Sequence, residues 1–191
     1  LTAFANRLRD GIANVSLGHG PGVFPGVGFV AAGGEFRQRQ NLRGISIHGL
    51  AASAGGRHGP RTFGAGASLV AAQVRADGHA AALDGLSPAQ TPRFVVTTGL
   101  TWERSSRTAS LLVRHTGAQF EDDLNTRRLP PATTVDAFAA WPLVRQLQLV
   151  VRGENLLDEL VAAAIGGDGS IERATPRTIW LGLRFSRAGT H

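Results

Sequence analysis

The residues of this chain that could do chemistry are histidine, serine, aspartate and, above all, arginine, and their spacing limits what each can do. Six histidines stand at 19, 48, 58, 79, 115 and 191. No two have helical i, i+4 spacing and the chain has no cysteine, so they do not make a structural zinc site. Ser110, His48 and Asp136 could form a hydrolytic triad across neighbouring strands, yet no nucleophile elbow surrounds the serine. Gly26 to Ala31 approximates a dinucleotide fingerprint, but that motif must follow a strand and open a helix. Here it lies in a loop broken by Pro21 and Pro25 and reads as flexible loop. No cofactor is implied by any of these patterns. Arg37 and Arg39, beside one long loop, and Arg127 and Arg128, within another, could grip an anion, because guanidinium binds carboxylates bidentately.

The elements that must position these side chains are strands. In TPRTIWLGLRF at 175 to 185, Ile179, Leu181, Leu183 and Phe185 fall on one face of an extended strand. Thr178, Trp180, Gly182 and Arg184 fall on the other, because successive side chains alternate. One face suits lipid and the other suits water. The pattern returns along the chain, predicting strands over 1–17, 36–53, 61–75, 93–104, 108–120, 133–143 and from about 147 to 165. Phe94, Val96, Thr98, Leu100 and Trp102 share a face of the fourth; Leu147, Leu149 and Val151 share one of the seventh. Breakers predict long connections at 18–34, 77–92, 121–132 and 166–175, alternating with short turns at 55–60, at Ser105-Ser106 and near Val144-Arg145. Transmembrane β-barrels show that alternation, each strand being a weak signal and the series an informative one. The predicted fold class is therefore all-β, an antiparallel meander of about eight long strands forming part of a transmembrane barrel.

Composition is compatible with that class. The 191 residues include 25 glycines, charged residues make up only 18%, and all twenty basic residues are arginine. A net charge of +6 raises the question of nucleic acid. The arginines are scattered, with no basic helix, zinc module or aromatic-plus-basic platform, so no nucleic-acid partner is expected. No run of eighteen apolar residues exists for a helical span, which leaves a barrel as the membrane solution. A sequence without methionine that begins in the middle of a strand pattern is expected to be a fragment or a processed piece.

Several stretches also resemble a known family in their words. RQRQNLRGISIHGL (37–50), HTGAQFEDDLNTRRLP (115–130), VRGENLLDEL (151–160) and TPRTIWLGLRF (175–185) resemble, in that order, the closing strands of TonB-dependent outer-membrane receptors. The resemblance places Glu154 to Glu159 on the penultimate strand and makes Phe185 the terminal aromatic, followed here by Ser186 to His191. It implies about the last eight strands of a larger plugged barrel in the outer membrane of a Gram-negative bacterium. The whole protein would import a scarce nutrient, such as an iron–siderophore complex, with energy from TonB passed through the missing plug domain. It would not be an enzyme, and its partners would be outer-membrane lipid, TonB and a small-molecule cargo. Arg37, Arg39, Arg127 and Arg128 would be candidate contacts for an anionic cargo, against the alternative of a solvated or lipopolysaccharide-facing loop. Glu103, Arg114, Asp136, Arg152 and Glu154 are expected as paired charges inside the wall. Two other readings stay open: a complete eight-stranded barrel with a structural or binding role, and a soluble β-sandwich adhesin.

Overall fold

The computed structural model describes residues 1–186. In chain order its strands are β1 (Thr2–Arg9), β2 (Ile12–His19), β3 (Gly22–Phe24), β4 (Gly28–Val30), β5 (Glu35–Asn41), β6 (Gly44–His58), β7 (Arg61–Arg75) and β8 (Phe94–Arg104). They continue as β9 (Arg107–Thr116), β10 (Gln119–Phe120), β11 (Arg128–Leu129), β12 (Ala132–Val144), β13 (Leu147–Glu154), β14 (Ala162–Ile165), β15 (Ile171–Arg173) and β16 (Thr178–Phe185). Eight of these form one antiparallel sheet in the order β1-β6-β7-β8-β9-β12-β13-β16. The sheet is open among the described residues, with β1 and β16 at its edges. The eight-stranded antiparallel meander expected from the alternation is present. Arg187 to His191, which include one of the six histidines, lie outside the described residues.

Residues directly opposite across a strand pair share a face, so the ladders carry the alternation of β16 across the whole sheet. Leu183 stands opposite Leu149, Leu149 opposite Trp141. On the neighbouring strands Ala139 faces Ala109, Leu111 faces Leu100, and Leu100 faces Phe63. Leu69 then faces Leu50. This face carries a continuous apolar band whose side chains are exposed, Leu181 at 74%, Phe63 at 52% and Leu50 at 49%. The opposite face holds Thr97, Glu103, Ser110, Arg114, Asp136, Gln148, Arg152 and Arg184, with Gly64 and Gly66 between them. Arg184 pairs with Gln148, so it lies away from Leu100 and Leu149.

Short turns join β6 to β7, β8 to β9 and β12 to β13, and long excursions join the other pairs. At Ser105 and Ser106 both φ angles are positive, 46° and 62°, as in the mirror-image turn whose twist matches a hairpin. The turn expected at 55–60 is shorter than predicted. Gly55 to His58 stay in β6, paired with Phe63 and its neighbours, and only Gly59-Pro60 turn. The reason is steric: a Cβ on Gly56 would sit 2.8 Å from the Phe63 ring, so glycine here admits a cross-strand aromatic.

Four predicted strands are divided: 36–53 into β5, which leaves the wall, and β6; 108–120 into β9 and β10, which pairs with β11 outside the wall; and the stretches 1–17 and 147–165. The stretch 1–17 bends at Asp10, φ 54°, so that β1 stays in the wall and β2 leaves it to pair with β5. The Leu42 N–H donates to the Gly11 carbonyl and links the two ladders. Within the loop expected at 18–34, β3 and β4 pair as a small hairpin. The predicted seventh strand ends at Glu154, since Asn155 takes φ 48° and turns the chain out of the sheet. Glu154 to Glu159 thus lie on the penultimate strand only at their first residue, which corrects that expectation. Ala162 to Ile165 belong to a separate hairpin with β15.

Candidate functional site

Buried apolar side chains gather in the long excursions. Val15, Leu42, Val74, Ala76, Ala80 and Leu83 form a small core, with Ala13, Ile45, Leu86 and Leu124 packed against it. Ile45 and Val74 are cross-strand partners and stand, with Leu8, on the polar face of the sheet. The core therefore folds over the upper end of that face. The short 3-10 helix Gly78–Leu83 contributes Ala80 and Leu83, each 1% exposed. Burying a leucine here removes apolar surface from water, worth about 1.5–3 kcal/mol, which is what holds loops together that no ladder joins.

Polar contacts tie the same excursions to one another. Asn125 Oδ1 accepts from the Ser87 N–H at 2.9 Å, and Asn125 Nδ2 donates to the Ser87 carbonyl at 2.8 Å. The Gln90 N–H donates to the Phe120 carbonyl, and its side chain donates to Glu121. At the far side a Cβ on Gly33 would lie 3.9 Å from Asp168, so the first and last long excursions approach each other. Asp122 caps the turn that follows it, accepting from the Thr126 N–H at 3.1 Å, the Thr126 hydroxyl at 2.7 Å and the Arg127 N–H at 2.6 Å. Burial pushes this carboxyl up, but those donors outweigh it and hold it below the usual carboxylate range.

Beside this turn lies a charged group built from three segments. Glu35, on β5, accepts from the Ser16 hydroxyl across the β2–β5 ladder and pairs with Arg37 two residues on, the Arg37 Nε donating at 2.7 Å. Burial raises the Glu35 carboxyl; Ser16, Arg37 and the charge of Arg127 together lower it further than burial raises it. Asp123 responds oppositely. Burial raises it, and the Ala89 N–H and Arg37 only partly offset that. The Arg127 Nε is buried without a hydrogen-bond partner, a donor left unsatisfied within the loop packing.

The structure brings two of the four candidate arginines together. Arg37 and Arg127 act on the same carboxylate, Glu35, and Arg37 is already paired with it. Arg39 stands one step further along the exposed edge of β5. Arg128 is set apart: it is opposite Phe120 in the β10–β11 ladder and lines a cleft with Arg93, Phe94 and Gln119. Of the charges expected to pair along the wall, Arg152 and Glu154 do, at 2.5 Å, and Asp136 instead accepts from the Asn155 N–H at 2.8 Å. Ser110 and Asp136 share the polar face while His48 lies on the apolar face three strands away from Ser110, so the three cannot meet as a triad. Among the described residues no group of three or more metal-ligating side chains assembles.

Glu35, Asp122 and Asn155 are the site residues that the sequence reading did not single out. Asp122-x-x-Asn-Thr-Arg carries a turn signal, an aspartate able to cap the N–H groups that follow it. Glu35-x-Arg37 carries an i, i+2 charge pair on one strand face.

The family model described as TonB dependent receptor-like, beta-barrel matches residues 1–156. No curated protein matches the sequence. Among solved structures, the copper transporter OprC superposes with a TM-score of 0.68 at 17% identity, over 96% of this chain and 28% of that one. The ferric yersiniabactin uptake receptor FyuA from Yersinia pestis gives 0.69 at 17% identity, over 78% and 24%. The pyoverdine outer membrane receptor FpvA from Pseudomonas aeruginosa PAO1 gives 0.64 at 13% identity, over 97% and 26%. At these identities the likeness is one of fold, and the chain spans about a quarter of the length of these structures.

Proposed function

Because this chain belongs to the TonB-dependent receptor β-barrel family, we propose that it is the C-terminal part of the barrel of an outer-membrane receptor that imports a scarce nutrient, an iron–siderophore complex in particular. The observation that carries this reading is the two-faced sheet. An exposed apolar band covers one face from Phe63 to Phe185, and loops with their own core fold over the end of the polar face. Such a wall is stable with its apolar face in hydrocarbon and its polar face lining a lumen. Neighbours named for pyoverdine, ferric yersiniabactin and copper point to a metal-bearing cargo. A plug domain would precede this part and carry the contact to TonB, and outer-membrane lipid would surround the band. The work is transport, without a bond made or broken by this chain.

Cargo contact is proposed at the loop cluster of Arg37, Arg39 and Arg127. The convergence of Arg37 and Arg127 on the Glu35 carboxylate supports it, because guanidinium groups gathered in one place suit an anionic oxygen ligand. Uptake of radiolabelled iron by a receptor-deleted strain, complemented with the full-length gene, tests the function. Accumulation should require both this gene and TonB for at least one of a panel of siderophores. Growth and uptake identical with and without the gene across iron and copper sources would sink the proposal. Arg127→Ala should weaken cargo binding about tenfold, in line with the loss of a charge-assisted hydrogen bond, as measured by fluorescence quenching of the purified receptor.

A further inference from the structure

Arginine collects at the short turns. Arg57, Arg61, Arg104, Arg107 and Arg145 lie within or beside the three turns, against one carboxylate there, Glu103. Alternation divides these charges between the two faces. Arg104 and Arg107 are cross-strand partners that continue the apolar face from the pair Trp102 and Ala109, and Arg61 stands opposite Trp102 on the same face. Arg57 is opposite Thr62 and Glu103 opposite Thr108, which puts both on the polar face. Among the described residues, Arg61, Arg104 and Arg107 have no carboxylate within 4 Å.

Two tryptophans fix the level of this group. Trp141 lies one step beyond the Ala140 and Thr108 pair, beside Arg107, whose guanidinium carbon is 4.2 Å from the Trp141 ring centroid. Stacking orients the guanidinium plane and leaves its N–H edge to donate elsewhere. Trp102 and Trp141 join an apolar body to a polar edge, as the aromatic girdles of barrels do at the boundary of the hydrocarbon. Above Trp141 the apolar face is hollow. Ala109, Ala137, Ala139, Val151, Gly153 and Ile179 line a groove of about 350 Å³. Leu156 closes its upper end: a Cβ on Gly153 would lie 2.5 Å from Leu156 Cδ2, so the glycine leaves that leucine room over the face. From Trp141 to Ala137 the groove follows β12 for about 14 Å.

The groove by itself suits any acyl chain, and the arginines select the head. Short turns of such barrels lie on the periplasmic side, which makes the inner leaflet the source. A zwitterionic head brings a cation of its own to the guanidinium groups, and one phosphate is matched by one bidentate fork. Three guanidinium groups on adjacent strands, two of them on residues about 5 Å apart across the ladder, suit two phosphates. We infer that this corner of the wall binds an inner-leaflet glycerophospholipid carrying two phosphates, with Arg61, Arg104 and Arg107 on the phosphates, Trp141 positioning Arg107, and one acyl chain in the groove below Leu156. The inference rests on the membrane placement proposed above.

The test uses the full-length receptor in phosphatidylcholine nanodiscs containing a minor fraction of either tetraoleoyl cardiolipin or dioleoyl phosphatidylglycerol, with bound lipid counted by native mass spectrometry. The wild type should retain cardiolipin in preference to phosphatidylglycerol. Arg104→Ala with Arg107→Ala should weaken cardiolipin retention about twenty-fivefold, from roughly fivefold per arginine at a membrane surface. Arg57→Ala, on the same turns but the opposite face, should leave it unchanged. Ala139→Leu fills the groove and keeps every charge; it should lower retention too, and it serves if the double variant assembles poorly. Equal retention by the wild type, the double variant and Ala139→Leu would overturn the site while leaving the membrane placement intact. So would equal retention of the two lipids, or a loss in Arg57→Ala as large as in the double variant, which would mark general surface charge. A wild type that fails to insert would overturn the placement and the site with it.

Discussion

Asn155 combines a left-handed backbone, φ 48°, with a side chain buried to 5% exposure. Its Nδ2 donates to the Glu159 carbonyl and its Oδ1 accepts from the Glu159 N–H at 3.0 Å, closing a turn immediately after β13. Asn155→Ala should destabilise this turn by about 1–3 kcal/mol, the cost of leaving buried partners unsatisfied, seen as faster hydrogen exchange at Glu159 while β13 amides stay protected. Asp122 gives a pH signature. Its carboxyl is held below the ordinary value, so the stability it adds is fully present above about pH 4, the unfolded value, and is lost as pH falls through the lower folded one. The Thr126 and Arg127 amide resonances of the receptor should therefore titrate below about pH 4; a midpoint above that would contradict the capping geometry. Asp123, raised by burial, acts in the opposite sense, destabilising as pH rises through its folded value. Residue-level roles were the least legible part of the sequence. The stretch Glu154 to Glu159 is recognisable as words, but Leu156 and Leu157 extend the apolar pattern of β13, and only the backbone at Asn155 shows that the strand has ended. The pairing of Arg37 with Glu35 places opposite charges two residues apart on one strand, whereas the approach of Arg127 depends on loop packing across ninety residues and has no local signal.

The strands themselves were legible because period-two alternation is a direct print of a wall with lipid on one side and polar groups on the other. β7, β8, β12 and β16 start and stop within a residue or two of turn signals, except that β16 begins three residues after the predicted 175. Illegible were the extensions that leave the wall, β2 with β5 and β14 with β15, since a strand looks the same in sequence whether or not it stays in the main sheet. The alternation of β16 makes a sharp prediction. Leu181→Arg puts a charge in the exposed apolar band, costing about 2–4 kcal/mol near the bilayer midplane, whereas Gly182→Arg adds one to the polar face. No atom lies within 4 Å of a Cβ on Gly182, so the glycine position has room. Heat-modifiable mobility on cold gels should show folded barrel for Gly182→Arg and a loss of it for Leu181→Arg; equal assembly of both would reverse the face assignment. At the β8–β9 hairpin, Ser105→Asn with Ser106→Gly should stabilise the turn by about 0.5–1 kcal/mol, because both positions already hold positive φ.

In the molecule as a whole, the wall is held by seven ladders and the excursions by a small apolar core. Leu83→Ala should cost about 2–5 kcal/mol in that core, loosening the excursions together, because the core joins residues from separate segments of the chain. Limited proteolysis should then cut within 77–92 and 121–131 while the wall still migrates as folded protein. That core was hidden in the sequence because its members come from four separated segments with no common period. One further consequence belongs to the strand order. Every strand of the main sheet pairs with the next main-sheet strand along the chain, so each new hairpin can dock on the one already made, and the entropy of closing a loop is met in small instalments. Assembly at the membrane can then proceed as a zipper, with the slow step confined to the outer edge of β16, where the whole barrel would close on its first strand. A substitution in a middle hairpin should stall the zipper part-way, and one at an edge should leave an open sheet waiting for its seam.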